Sequence, residues 1–242
     1  MLTKAKSVSA EKPRRFYKTA EAAPAEEGFH VLLDGRTIRT PAGTRMQLPT
    51  LALAGLIAGE WAAQDERIDI ATMTATRLAY TALDRAPEVR EEVAADLARF
   101  AGADVLTYFA HEPEELVARE RAGWTPLLDW AREALGVQLH PVAGIVHQSQ
   151  PQAALERVRT LALDHDDFRL TGLANAAGLM GSAVLAFALA RGRLAGEEAF
   201  ELSRLDEAFQ EERWGLDEEA AARNTAMRAE ARVLERWFKS LG

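Results

Sequence analysis

The stretch that decides the fold is TGLANAAGLMGSAVLAFALA, residues 171–190. It carries no charged side chain, although 27% of the whole chain is charged, and Arg169 and Arg191 lie just outside it. A charge-free run of this length is first a candidate membrane span. Its glycines, alanines, serine and asparagine, however, make it small rather than strongly apolar. We therefore predict one central, fully buried helix, whose small residues let neighbouring helices approach closely. A membrane span is the alternative.

The composition of the chain indicates a globular protein with a substantial core. The chain has 242 residues, of which 48% are hydrophobic, and it has no cysteine. The absence of cysteine excludes a disulfide framework, a thiolate zinc site and a cysteine nucleophile, and it fits a reducing compartment. No signal-peptide apolar segment follows Met1. Residues 1–13 are instead expected to form a flexible basic arm, with the remnant of an import signal as the alternative.

The charge of the chain is concentrated in one segment. The formal net charge is −8, which disfavours nucleic acid as a partner, because binding to a polyanion depends on neutralising phosphates. Residues 197–222 contain ten acidic and two basic side chains. This segment alone accounts for the net charge, and it follows the central stretch directly.

The first part of the chain is predicted to contain a small antiparallel sheet. We expect Arg15-Phe-Tyr-Lys18 to open a short strand, residues 28–33 to form another, and Asp34-Gly35 to make the hairpin turn that such a pair favours. A further strand is expected around Met46–Leu48. We assign no chemistry to this sheet.

The remainder is predicted to be mostly helical. Helices are expected to start at Thr50, near Thr74 and at Pro87, the second ending around Asp84. Two short β-like segments, 105–109 and 137–146, should flank a helix that opens at Pro113 and is kinked or restarted by Pro126. The fold class is therefore α+β. We place a small sheet-containing N-terminal domain at 14–108 and a mostly α-helical C-terminal domain at 109–242.

The sequence contains none of the motifs that carry catalysis or hold a cofactor. The five histidines do not stand at metal-ligand spacing, and the chain lacks a nucleophile elbow, a phosphate-binding loop and a dinucleotide fingerprint. Gly172, Gly178 and Gly181 do not fit a phosphate loop, and we interpret them as helix-packing residues. No cofactor, metal or catalytic residue is predicted.

One constellation stands out within residues 203–219, taken as a single helix. Leu202, Leu205, Phe209, Leu216 and Ala220 fall on one stripe, which should face the core. Ser203, Glu207, Gln210, Trp214 and Glu218 fall on another. The tryptophan therefore lies among carboxylates and an amide, which is the composition of a protein-binding hot spot. The alternative is that Trp214 packs against another helix of the same chain.

The chain also resembles a known family over nearly its whole length, from Arg15 onward: the "ATP-twelve" assembly chaperones of the ATP synthase catalytic head. The order and spacing of several short motifs carry this resemblance. They are Arg15-Phe-Tyr-Lys18, Leu33-Asp-Gly-Arg36, Thr40-Pro41, Leu48-Pro-Thr50, Glu60-Trp61 with Gln64, Ile68-Asp69, Thr72-Met73, Thr76-Arg-Leu78, Asp84, Pro126-Leu-Leu-Asp-Trp130, Gln150-Pro151, Ser203-Arg-Leu-Asp-Glu207, Phe209-Gln210, Glu212 and Trp214-Gly215.

The resemblance implies a chaperone and not an enzyme. Such proteins bind the free α subunit of the catalytic head and prevent its aggregation until the β subunit replaces them. The partner-binding residues expected here are Asp206, Glu207, Gln210, Glu212 and Trp214. The chain is expected to be a soluble monomer in a bacterial cytoplasm, or in the mitochondrial matrix of a eukaryote.

Two other functions remain open from the residues alone. One is a soluble enzyme that uses Asp206, Glu207, Glu211 and Glu212 for acid/base or metal-assisted chemistry. The other is a membrane-embedded component built on residues 171–190.

Overall fold

The computed structural model describes residues 12–144, 148–215 and 217–242. The chain begins with a four-stranded antiparallel sheet: β1 (Ala20–Pro24), β2 (Phe29–Leu33), β3 (Arg36–Thr37) and β4 (Gln47–Leu48). β2 pairs with each of the other three strands. The predicted hairpin is confirmed, because Leu33 pairs with Arg36 across Asp34 and Gly35, which both adopt positive φ angles, 48° and 78°.

Helices make up most of the remainder, so the predicted α+β class is confirmed. They are α1 (Leu51–Ala62), α2 (Thr74–Asp84), α3 (Ala86–Gly102), α4 (Glu114–Trp130), α5 (Gln152–Leu163), α6 (Asp167–Met180), α7 (Ala183–Ala190), α8 (Gly196–Ser203), α9 (Leu205–Trp214) and α10 (Glu218–Leu241). Two-residue strands β5 (Tyr108–Phe109) and β6 (Val142–Ala143) pair in parallel beside α4.

The central stretch forms two helices, and the prediction of one helix was wrong. Gly181 adopts a left-handed conformation, φ 65°, that ends α6, and the hydroxyl of Ser182 accepts a hydrogen bond from the Leu185 amide to begin α7. The carboxylate of Asp104 accepts a further bond, 3.1 Å, from the Val184 amide. On the other side of the break, the Gly181 carbonyl accepts a hydrogen bond, 3.1 Å, from the Val105 amide, so hydrogen bonds fix both sides of it.

Burial of this stretch is confirmed for α7 and only in part for α6. Residues 183–189 are all buried, whereas Gly178 on α6 is exposed. Gly172 is a true packing glycine, because a Cβ there would lie 2.8 Å from the Trp237 indole nitrogen of α10. The packing interpretation was wrong for Gly178 and Gly181, where a Cβ would meet no atom within 4 Å.

Among the described residues, no helix combines the length and apolar character that a membrane crossing requires. The stretch that raised this alternative is instead the centre of a continuous apolar core. That core includes residues from the sheet, such as Val31 and Leu48, and from α10, such as Trp237. Because α7 lies within this core, residues on all of its faces are buried.

Three local predictions differ from the structure. Residues 15–18 belong to no strand, and the first strand of the sheet is Ala20–Pro24. Residues 105–107 form a 3₁₀ turn before the two-residue strand β5. α4 passes through Pro126 without ending. The predicted arm at 1–13 lies almost wholly outside the described residues, as do residues 145–147 of the predicted β-like link.

Trp61 packs α1 onto the sheet side of the core. It is buried, and the Tyr17 hydroxyl donates a 2.6 Å hydrogen bond to its carbonyl oxygen. The two rings meet edge to face with centroids 5.7 Å apart.

Candidate functional site

The tryptophan-bearing acidic segment forms the short helix α9. It is bounded by Arg204, whose backbone leaves the helical region at φ −124° and ψ 24°, and by Gly215 at φ 83°. The predicted single helix over 203–219 was therefore wrong at both ends. α9 packs mainly on α4 and α8.

Phe209 attaches α9 to the rest of the chain. It is 4% exposed and is the buried residue of this helix. The guanidinium groups of Arg119 and Arg213 lie 5.2 and 4.2 Å from its ring centre, within the range of cation–π attraction. Leu202 and Leu205 pack beside the core as predicted, whereas Leu216 lies outside the described residues.

Trp214 is exposed, which overturns the alternative that it packs within the chain. Its exposed fraction is 78%, and together with Phe16 and Leu51 it forms the set of exposed large apolar side chains among the described residues. It lines one groove of about 570 Å³ with Asp206 and Gln210. These three residues stand four apart on α9, so they share one face.

The opposite wall of this groove comes from the region of β5 and the start of α4. It includes Tyr108, Phe109, His111, Pro113 and Leu116. The groove therefore combines apolar side chains with charged ones. Glu112 lies on this wall, and Asp206 and Arg213 lie on the α9 wall beside Trp214.

Glu207 and Glu212 lie apart from that groove. Glu207 is exposed on the neighbouring side of α9, 4.0 Å from Arg204. Glu212 faces α4, where both of its oxygens accept hydrogen bonds, each 2.9 Å, from Arg119. Arg119 also pairs with Glu115, and these two carboxylates raise the pKa of the Arg119 guanidinium. Glu212 is thus already ion-paired within the chain.

Ser203 does not join the acidic stripe. It ends α8, is buried, and its hydroxyl donates to the Phe200 carbonyl. The break at Arg204 changes the helix axis, so the angular position predicted from one continuous helix does not apply to it. Glu218 likewise belongs to α10.

Glu120 is a residue of this region that the sequence did not reveal. It is 1% exposed on α4, and its carboxylate accepts a 2.7 Å hydrogen bond from the Ala110 amide. Burial, and to a lesser extent the charge of Asp206, raises the pKa of Glu120. The sequence did hold one signal for it, because Glu120 is a charged residue on a helical stripe that is otherwise apolar. Glu120 fixes the chain that leads from β5 into α4, beside the groove.

Arg119 and Phe209 were similarly not recognised as a pair, because they lie on different helices 90 residues apart in sequence. Within the described part of the chain, no group of three or more histidine and acidic side chains is placed to hold a metal ion. What the geometry presents is an exposed aromatic residue, a partly apolar groove and acidic side chains.

The chain is similar to known chaperones. The family model described as "ATP12 chaperone protein" matches residues 14–132. "Protein atp12, mitochondrial" of Schizosaccharomyces pombe is 29% identical over 223 residues, covering 86% of this chain and 75% of that protein.

Solved structures give a closer match. The crystal structure of Atp12 from Paracoccus denitrificans superposes with a TM-score of 0.87 at 40% identity, covering 95% of this chain and 99% of that one. A point variant of the same protein gives the same TM-score and identity.

The class of protein is thus a chaperone, and the enzyme alternative is not supported. The chain belongs to the ATP12 chaperone family, whose function is ATP synthase assembly. Its relatives include a mitochondrial and a bacterial protein.

Proposed function

We propose that the chain binds the unassembled α subunit of the ATP synthase catalytic head and prevents its aggregation until the β subunit takes its place. We further propose that α9 carries the binding surface, with Glu207, Gln210 and Trp214 at its centre and Asp206 and Glu212 beside them. The observation that carries this proposal is the 78% exposure of Trp214 on a helix whose buried contact is already made by Phe209.

The physical reason is that an exposed tryptophan gains most when a partner covers it. A tryptophan buries 150–250 Å² of surface, and centres of interfaces are enriched in tryptophan. In the chain without a partner, the same exposed side chain contributes nothing to the stability of the fold. The exposure of Trp214 therefore supports a contact that forms only with a client.

The charges beside Trp214 would select the client's surface. Asp206 and Glu207 are exposed acidic groups, so they favour arginine and lysine on the client and disfavour acidic surfaces. Glu212 acts differently in this proposal, because its ion pair with Arg119 holds α9 against α4. It would position the surface rather than pair with the client.

The test is an aggregation assay with the purified α subunit. Glu207→Lys and Trp214→Ala should each weaken protection of the α subunit strongly. Glu92→Lys is the matched control, since Glu92 is an exposed acidic residue on α3 outside this surface. Full protection by a Glu207→Lys, Trp214→Ala double variant would contradict the site. Failure of the unaltered chain to protect the α subunit would contradict the proposal that the α subunit is the client.

We also propose that the chain acts as a monomer, in the cytoplasm of a bacterium or in the mitochondrial matrix of a eukaryote. The bacterial and mitochondrial relatives support this placement. Light scattering during size-exclusion chromatography measures the mass directly. A mass near 26.5 kDa is expected, and a dimer would contradict the proposal.

A further inference from the structure

A second exposed aromatic residue, Phe16, lies in surroundings of opposite charge to those of Trp214. Its exposed fraction is 72%. It lines a groove of about 630 Å³ with Tyr17, Leu33, Arg36, Arg39 and Trp61, which we name the Phe16 groove. Phe16, Leu33, Arg36 and Trp61 come from three of the sequence motifs that carry the family resemblance, and the α9 surface uses none of them.

Phe16 is exposed on a segment that is held firmly. The amide of Arg15 donates to the Glu66 carbonyl at 2.8 Å, and the Arg15 guanidinium donates to the carbonyl oxygens of Tyr17, Lys18 and Gln64. On the other side, the amide of Lys18 donates to the Asp34 carboxylate at 2.9 Å. With both neighbours fixed and Tyr17 turned inward, the Phe16 ring is presented to solvent in a defined position. A preorganised aromatic side chain binds a partner at low entropic cost.

The indole of Trp61 lies beside the groove and can report on its occupancy. Trp61 contributes to the wall of the groove and is 6% exposed. Its Nε1 donor is buried, and among the described residues it has no hydrogen-bond partner. Buried donors are nearly always paired, because an unpaired one costs free energy. Because this nitrogen has almost no accessible surface, Trp61 serves here as a reporter of the groove and not as a hydrogen-bond donor to its ligand.

The charge of the groove indicates which class of ligand it would bind. Arg36 is exposed and forms no ion pair within the described part of the chain. Arg39 donates a hydrogen bond from Nη1 to the Gly43 carbonyl, 2.6 Å. The one carboxylate in the groove, Asp34, already accepts hydrogen bonds from Lys18 and Thr19, which lower its pKa. The groove therefore has free positive charge beside apolar walls.

We infer that the Phe16 groove binds an extended segment of a partner polypeptide that carries carboxylates beside a large apolar side chain. The apolar side chain packs on Phe16 and Leu33, and the carboxylates pair with Arg36 and Arg39. The groove is a second contact surface, distinct in charge from α9, and its occupant is acidic where the occupant of α9 is basic.

The experiment follows the indole N–H resonance of Trp61 by NMR, assigned with Trp61→Phe. The probe is the peptide acetyl-Glu-Phe-Glu-Phe-Glu-amide, with acetyl-Lys-Phe-Lys-Phe-Lys-amide as the charge-reversed control. The acidic peptide should shift the Trp61 resonance saturably, and the basic peptide should not. Arg36→Glu and Phe16→Ala should each raise the Kd at least about tenfold.

Arg223→Glu is the matched control variant, because Arg223 is an exposed arginine on α10 and lies outside the groove. It should change the Kd less than about threefold. Backbone spectra of each variant establish that the fold is retained, which the exposure of Phe16 and Arg36 favours. The inference is overturned by equal shifts with both peptides, by no saturable shift, or by an unchanged Kd in Arg36→Glu. It is also overturned if free glutarate binds with the same Kd, which would indicate a small-anion site.

Discussion

Helices α7 and α9 are similar in length and opposite in surroundings. The eight residues of α7 carry no charge and seven of them are buried, whereas α9 has five charged side chains in ten residues and Phe209 as its buried contact. α7 contributes to stability through burial on all sides. α9 is attached at a few points and leaves its largest apolar side chain, Trp214, in solvent. The difference separates the residues that hold the fold from those available to a partner.

The largest effect expected from this contrast is that of a charge placed in α7. Leu185 is 0% exposed, and an unpaired carboxylate at that position has no compensating partner, so Leu185→Asp should cost several kcal/mol and unfold the chain. Circular dichroism on heating measures this. The control is Gln210→Asp on the exposed face of α9, which should melt like the unaltered chain. A Leu185→Asp variant with an unchanged melting temperature would show that α7 is not central to the core.

The second test removes Trp61, the buried counterpart of the exposed Trp214. Trp61→Ala should lower the free energy of unfolding by about 3–5 kcal/mol, since it removes a packed side chain and leaves a cavity. Urea titration monitored by circular dichroism gives the value. If Trp61→Ala were as stable as the unaltered chain, the packing of α1 on the sheet would not depend on this side chain.

The pH dependence of stability should reveal Asp104, whose buried carboxylate accepts a hydrogen bond from the first turn of α7. Burial raises the pKa of Asp104 to about 6, above the value of about 3.9 expected for an unfolded chain. The folded state therefore favours the protonated form. The protonated carboxyl group of Asp104 contributes its full stabilisation below about pH 4. This contribution, about 3 kcal/mol, is lost as the pH rises through 6.

The measurement compares Asp104→Asn with the unaltered chain by urea titration between pH 4 and 7. The stability of the unaltered chain should fall relative to the variant across this interval. Glu197 provides a comparison of opposite sign, because hydrogen bonds from Arg228 and Arg232 lower its pKa. A constant difference between Asp104→Asn and the unaltered chain would contradict the raised pKa.

The smallest effect on stability is expected at α9. Trp214→Ala should change the free energy of unfolding by no more than about 0.5 kcal/mol, the usual range for an exposed side chain, and Glu207→Lys should melt at the temperature of the unaltered chain. The same urea titration measures both. Unfolding of either variant would mean that the acidic face of α9 serves the fold.

The sequence predicted those features of the fold that depend on neighbouring residues. The Asp34-Gly35 hairpin and helix α2 at Thr74–Asp84 are both where local signals placed them. The division of residues 171–190 was missed, although Gly181 followed by Ser182 is a helix end followed by a helix start. The break at Arg204 has no such signal, because neither glycine nor proline marks it.

The site was predictable to a similar degree. A helical projection placed Trp214 away from the core, as its exposure bears out. It put Glu207 on the stripe of Gln210 and Trp214, however, whereas Asp206 is the acidic residue that lines the groove with them. The projection could not show that Glu212 is paired with Arg119, because that contact joins residues 93 apart in sequence. It also could not show the Phe16 groove, whose walls come from three separate segments. Pairings across the fold require the structure.

The most direct test of the proposed α9 surface follows Trp214 itself in the complex. The chain labelled with 5-fluorotryptophan gives one ¹⁹F resonance for each of its five tryptophans, and Trp214→Phe identifies the one of interest. A soluble paramagnetic agent should broaden the Trp214 resonance strongly in the free chain, where this side chain is 78% exposed. On addition of the α subunit, with the complex verified by size-exclusion chromatography, the resonance should become protected. A complex in which the agent still broadens Trp214 as in the free chain would contradict the α9 surface.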